Sequence, residues 1–153
     1  MSSPDDLGRE VTSVLGYLLK HATLQLIAAT TEALEPFGID SRDLGVLRVV
    51  ASRQSTSQQE VSQLLGVDRT TMVALLDGLE AKKIVSRHPL VHDRRRNVVE
   101  LTNEGQHLFH EASRVEREAE DAYLSTLNDH EAQSLREFLH RVVTEQHPGS
   151  SDD

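Results

Sequence analysis

Between Ser57 and Leu101 the hydrophobic spacing of the chain changes from helical to alternating, and that change narrows the possible folds more than any other feature. Ser57-Gln58-Gln59-Glu60 has the form of a capping box, in which a hydroxyl and a carboxylate each bond the other residue's backbone N–H. It opens a short helix carrying Val61, Leu64 and Leu65. Gly66-Val67 breaks that helix, and Asp68 is placed to cap the next one, which reaches about Lys82. Two short helices joined by a glycine-containing turn have helix-turn-helix spacing. Two β-branched, partly alternating runs follow, Ile84-Val85-Ser86-Arg87 and Val98-Val99-Glu100-Leu101. Between them lies a basic turn, His92-Asp93-Arg94-Arg95-Arg96-Asn97. Two strands with a charged tip directly after a helix-turn-helix make a wing.

The flanks read as helix. Val11, Val14, Leu15, Leu18, Ala22, Leu26, Ala29 and Ala33 recur at helical spacing, so a first helix runs from about Leu7 to Glu35, where Pro36 and Gly38 stop it. Tyr17, Leu24, Ile27 and Leu34 add a second apolar stripe, and a helix apolar on two sides needs burial against its own domain and against another subunit. Asp40 or Ser41 caps a helix with Leu44, Leu47 and Val50. Thr102 caps a long helix, and Asn128-Asp129-His130-Glu131 is a second capping box opening a last helix with Leu135, Phe138, Leu139 and Val142. The tail 148–153 reads as disordered. The expected fold is mainly α with a small β-wing. It is a single domain in which 40–105 form a winged helix-turn-helix DNA-binding lobe and 7–38 with 106–147 form dimerisation helices.

A length of 153 residues fits one domain and leaves no room for a separate catalytic one. The net charge of -9 argues at first against nucleic acid. Its distribution reverses the argument: residues 66–97 hold seven basic and four acidic side chains, a basic island between acidic flanks. No apolar run approaches the ~20 residues of a membrane span, and Met1-Ser2-Ser3-Pro4-Asp5-Asp6 is no signal peptide, so a cytoplasmic protein is expected. Cysteine is absent, which excludes disulfides and thiol redox chemistry. No nucleophile with a local base, no phosphate loop and no strong metal motif is found, so neither an enzyme nor a cofactor is expected.

The stretch from Gly66 to Gly105 resembles the MarR family of regulators. Leu79-Glu80 at the end of the recognition helix, Asp93-Arg94-Arg95 in the wing and Leu101-Thr102 with Gly105 stand at the family's intervals. The helix order extends the resemblance over about Leu7 to Gln146. It implies a symmetric homodimer built by the first and last helices, double-stranded DNA as partner, and a repressor that lets go of a palindromic operator when a small anionic or phenolic effector binds.

Candidate residues follow from both readings. Met72, Leu75, Leu76 and Leu79 should face the core, which leaves Thr70, Val73, Ala74, Asp77 and Ala81 on the opposite, small-residue face that approaches base edges. Thr70 and Thr71 are placed to bond bases or phosphates, and Arg69 to reach the backbone or a guanine. Arg94, Arg95 and Arg96 offer guanidinium groups to a narrow minor groove. The resemblance points to Arg95 as the inserted side chain, oriented by Asp93 through a bidentate ion pair, with Arg94 and Arg96 on phosphates. Arg87, Lys82 and Lys83 are phosphate candidates, and Ser57 and Gln58 offer backbone N–H groups at a helix start. Tyr17 and His21, one turn apart near where relatives hold ligands, are effector candidates or packing residues. His107, His110 and Glu111, within one helical turn, suit a zinc-responsive regulator only weakly, and solvated surface histidines are the plainer reading. A small helical enzyme or a protein-interaction module that kept the winged fold are the remaining alternatives, and three consecutive arginines at a wing tip disfavour the second.

Overall fold

The computed structural model describes residues 4–53 and 55–145, excepting the side chains of 4–7 and of Arg94; the expected disordered tail lies outside the described residues. The long first helix is two: α1 spans Pro4–Ser13 and α2 spans Leu15–Leu34. They meet at Val14, which is extended (φ -68, ψ 127). Thr12 and Ser13 turn their hydroxyls back onto Gly8 O (2.8 Å) and Glu10 O (3.0 Å), and a β-branched residue then leaves the helix readily. Pro36 lies in a short 3-10 turn, Glu35–Phe37, and Gly38 closes it at φ 66, a left-handed conformation that glycine adopts without cost.

Local caps set the next helices, and where the sequence suggests a simple cap at Asp40 or Ser41 the structure has a full capping box. α3 (Ser41–Ala51) begins at Asp40, whose carboxylate accepts from Asp43 N while Asp43 accepts from Asp40 N. α4 (Gln58–Leu65) begins at the Ser57–Glu60 box, and α5 (Arg69–Ala81) at Asp68. Their apolar faces meet in one core: Leu44, Val46 and Leu47 from α3, Val61 from α4, and Met72, Leu76 and Leu79 from α5. Each such burial contributes about 1.5–3 kcal/mol. Leu75 is half-buried and Leu64 stays exposed.

Three antiparallel strands, β1 (Thr56–Ser57), β2 (Val85–Leu90) and β3 (Asp93–Leu101), stand in the order β1-β3-β2. The wing strands are longer than the sequence suggests, and the turn between them is Val91-His92 rather than the arginine run. Pairing is regular up to Pro89 opposite Asn97, then jumps to Leu90 opposite Asp93. The three arginines therefore fall in an irregularity of β3. A bulge of this kind frees side chains from the pleat and re-aims them. β1, which the sequence does not reveal, pairs Thr56 with Val99 and Ser57 with Val98, fastening the start of α4 to the root of the wing.

After the wing, α6 (Asn103–Tyr123) starts against the end of α5. Thr102 donates its hydroxyl to Lys83 O (2.6 Å), accepts from Gly105 N (2.9 Å), and its own N–H bonds Ile84 O (3.1 Å). A Cβ at Gly105 would lie 1.9 Å from Ile84 O, so only glycine fits there. α6 then runs along α2, where Tyr123 Oη donates to Gln25 Oε1 (2.9 Å), and across α3, where Arg48 pairs with Glu116 (2.5 Å). α7 (Asp129–Glu145) opens at the Asn128–Glu131 capping box and is held to α6 by Arg136 with Glu120 and Asp121. α7 has no buried residue, and Phe138, Val142 and Val143 are exposed, as are Leu15, Leu18 and Ile27 of α2. No helix among the described residues is long and apolar enough to cross a membrane.

Gly105→Ala should destabilise the fold by about 3 kcal/mol, because the clashing atom is backbone and cannot rotate away. Urea unfolding of the variant measures it; a loss below about 0.5 kcal/mol, the range of ordinary surface changes, would contradict this packing.

Candidate nucleic-acid interface

The starts of α4 and α5 and the bulged part of β3 border one groove of about 810 Å³. Ser57, Gln58, Arg69, Arg95 and Arg96, singled out separately in the sequence, all line it. The β1–β3 pairing brings them together, because it sets Ser57 beside Val98, two residues from Arg96. Two helix N-termini open at this groove, each with unpaired N–H groups and partial positive charge suited to phosphate oxygens. Ser57 Oγ accepts from Glu60 N (3.2 Å), which leaves its O–H to donate outward. Gln59, Ser62, Gln63 and Asn97 also line the groove, and the sequence reading did not pick them. The repeat of polar residues three and four apart on α4 was the signal available.

On α5 three of the four expected core residues are buried, while Leu75 and Val73, expected on opposite faces, are both half-buried. Met72, Leu76 and Leu79 are buried, Arg69, Thr70, Ala74 and Asp77 are exposed, and Thr71 and Val73 are half-buried. Thr71 has a fixed polarity. Its hydroxyl donates to Asp68 Oδ1 (2.6 Å) and its N–H to Asp68 Oδ2 (3.0 Å), so toward any base Thr71 Oγ1 can only accept. The Thr71 hydroxyl and N–H together hold the Asp68 carboxyl below the usual carboxylate range.

In the wing, Arg95 and Arg96 are exposed, and the side chain of Arg94 lies outside the described residues. Asp93 Oδ1 accepts from the backbone N–H of Arg95 (3.1 Å). The expected guanidinium pairing with Asp93 is replaced by this backbone contact, which shapes the chain at the bulge. Arg87 is turned toward α5, donating to Asp77 and Glu80. Lys82 donates to Gly38 O, and Lys83 adopts a left-handed backbone at φ 60.

The remaining candidates lie apart from the groove. Tyr17 and His21 stack with ring centroids 4.0 Å apart, both half-buried on α2. His107 and His110 are exposed on α6, Glu111 pairs with Arg114 (3.0 Å), and among the described residues no three His, Asp or Glu side chains gather as a metal site.

A model of the MarR family matches residues 37–96. The transcriptional repressor NicR of Pseudomonas putida is 26% identical over 140 residues, covering 91% of this chain and 88% of that protein. The transcriptional regulator PecS of Dickeya dadantii is 28% identical over 140 residues, covering 90% and 84%. Among solved structures, the repressor CouR bound to a 23-mer DNA duplex superposes with a TM-score of 0.83 at 26% identity, covering 88% of this chain and 95% of that one.

The lowered Asp68 carboxyl carries a pH dependence. Its folded value lies below the unfolded one of about 3.9, so its contribution is present above that pH and is lost as pH falls through the lower folded value. Denaturation midpoints of wild type and Asp68→Ala should differ at neutral pH and converge in acid. A gap that stays constant down to about pH 2 would remove the cap from the account.

Proposed function

The chain belongs to the MarR family of transcriptional regulators, and on that premise we propose that it is a repressor that binds an inverted-repeat operator as a homodimer and releases it when a small molecule binds. The observation that carries the reading is the groove where the starts of α4 and α5 meet Arg95 and Arg96. α5 presents short side chains to base edges in the major groove, while the wing arginines reach an adjacent minor groove. Ser57, Gln58 and Arg69 hold phosphates between them and fix the register.

Dimerisation is supported by the apolar side chains that one copy leaves in water. Phe138 is 58% exposed and Val143 66%, and on α2 Leu15 is 68% exposed. Monomers rarely leave large apolar patches uncovered. A two-fold pair would set its recognition helices about 34 Å apart, one turn of DNA. The effector response rests on the family reading, with Tyr17 and His21 as contacts on α2.

Binding is measured by titrating fluorescent duplexes carrying the sequence upstream of the protein's own gene. Arg95→Ala should cost about 1–3 kcal/mol of affinity with the fold intact. Thr71→Val should change which operator variants are preferred, because it removes an acceptor at the base edges. Arg95→Ala binding like wild type would remove the wing from the mechanism.

Phe138→Asp changes a side chain that one copy leaves mostly in water, so it should leave a folded protein that sediments as a monomer and protects no operator. A dimer that survives this change, or a short asymmetric footprint, would overturn the two-fold arrangement.

A further inference from the structure

Arg87 has the charge of a phosphate ligand and the surroundings of an internal strut. Its side chain is 17% exposed, while its partners Asp77 and Glu80 are 59% and 42% exposed. Glu80 receives three donors from this one residue: the backbone N–H (3.0 Å), Nε (3.4 Å) and Nη2 (3.2 Å). Nη2 also donates to Asp77. Among the described residues β2 pairs only with β3, so its other edge is open there, and the Arg87 N–H on that edge goes to Glu80 instead of to another strand. These hydrogen bonds hold the Glu80 carboxyl below its usual range and push the guanidinium up, so both stay charged.

The chain between recognition helix and wing is short, Lys82 to Ile84, with Lys83 at φ 60. The root of the wing buries Val85 and Val99 in the same core as Leu76 and Leu79, whereas Arg87 makes the polar link farther along β2. A helix reading the major groove and a wing reading the minor groove must stand at the spacing the duplex imposes. Asp77 and Glu80 lie one turn apart on α5, and Arg87 lies midway along β2. We propose that Arg87 is a positioning residue that forks between Asp77 and Glu80 and fixes the separation of the two DNA-reading elements. It contributes to discrimination between sequences and not to the phosphate contacts. It also offsets part of the negative charge that Asp77 adds to the face turned to DNA. The inference rests on the DNA-binding reading above.

The test compares wild type, Arg87→Lys, Arg87→Ala, Glu80→Gln and Arg96→Ala on two probes across a salt series. One probe is a duplex that the wild-type protein selects from random-sequence DNA, and the other is a scrambled duplex of the same composition. For a positioning role, Arg87→Ala, Arg87→Lys and Glu80→Gln each lower the ratio of the two affinities about tenfold, the worth of one charge-assisted hydrogen bond. Their salt slopes match wild type, whereas Arg96→Ala lowers its slope by about 1. Lysine retains the charge but cannot fork, so its failure to rescue separates geometry from electrostatics. An Arg87→Ala slope lower by about 1, or Glu80→Gln and Arg87→Lys proteins that discriminate like wild type, would overturn the proposal. Thermal melts confirm that each variant is folded; if Arg87→Ala is not, Arg87→Lys and Glu80→Gln decide. A wild-type protein that selects no sequence would instead overturn the regulatory reading, and this one with it.

Discussion

The carbonyl oxygen of Ile84 occupies the space that any side chain at position 105 would need, and Thr102 bonds that same oxygen through its N–H. At this one point the end of the recognition helix, the root of the wing and the start of α6 touch backbone to backbone. Ile84 N reaches back to Leu79 O (3.0 Å), and the Thr102 hydroxyl reaches Lys83 O. Side chains flex and change rotamer, but main-chain contacts of this density do not, so α6 leaves this junction in a fixed direction. With 21 residues it spans about 30 Å, from this junction to Tyr123 and its bond to Gln25 on α2. The core of Leu44, Leu47, Met72 and Leu76 supplies stability, whereas the junction determines where that stability is transmitted.

The groove itself contains few formal cations. Arg69, Arg95 and Arg96 line it together with Asp68, and the rest of its lining is hydroxyl- and amide-bearing residues with Gly66 and Val67. Attraction for an anion there depends on two helix starts aimed at one place, and the two-residue strand β1 aims the first of them. A chain with net charge -9 can still present a surface that attracts anions, because those dipoles come from backbone orientation, which composition does not record.

Much of this was legible in the sequence because its determinants are local. Capping at Asp40, Ser57, Asp68, Thr102 and Asn128 depends on residues three apart, and the buried face of α5 follows from helical spacing. What escaped was set over longer range or lacked the usual local marker. The wing turn at Val91-His92 carries neither glycine nor asparagine, and charged residues favour strands weakly, so the arginines read as the turn. Thr56-Ser57 is a strand only because Val98 and Val99 lie beside it. Arg87 meets carboxylates ten and seven positions back through tertiary packing, and no periodicity reports that. The break at Val14 depends on hydroxyls choosing their own helix carbonyls, a near balance that apolar spacing cannot register.

The segregation of charge along the chain has an effect before any contact is made. Residues 98–153 carry thirteen acidic side chains against four basic ones, most of them on α6 and α7, while the arginines of the groove sit at the other lobe. The molecule is thus an electric dipole with its positive end at the groove. In the field of a polyanion it experiences a torque as well as a force, turning the groove forward and repelling encounters led by the helical end. Within about 10 Å at 0.1 M salt, the range over which that field survives, random collisions become oriented ones.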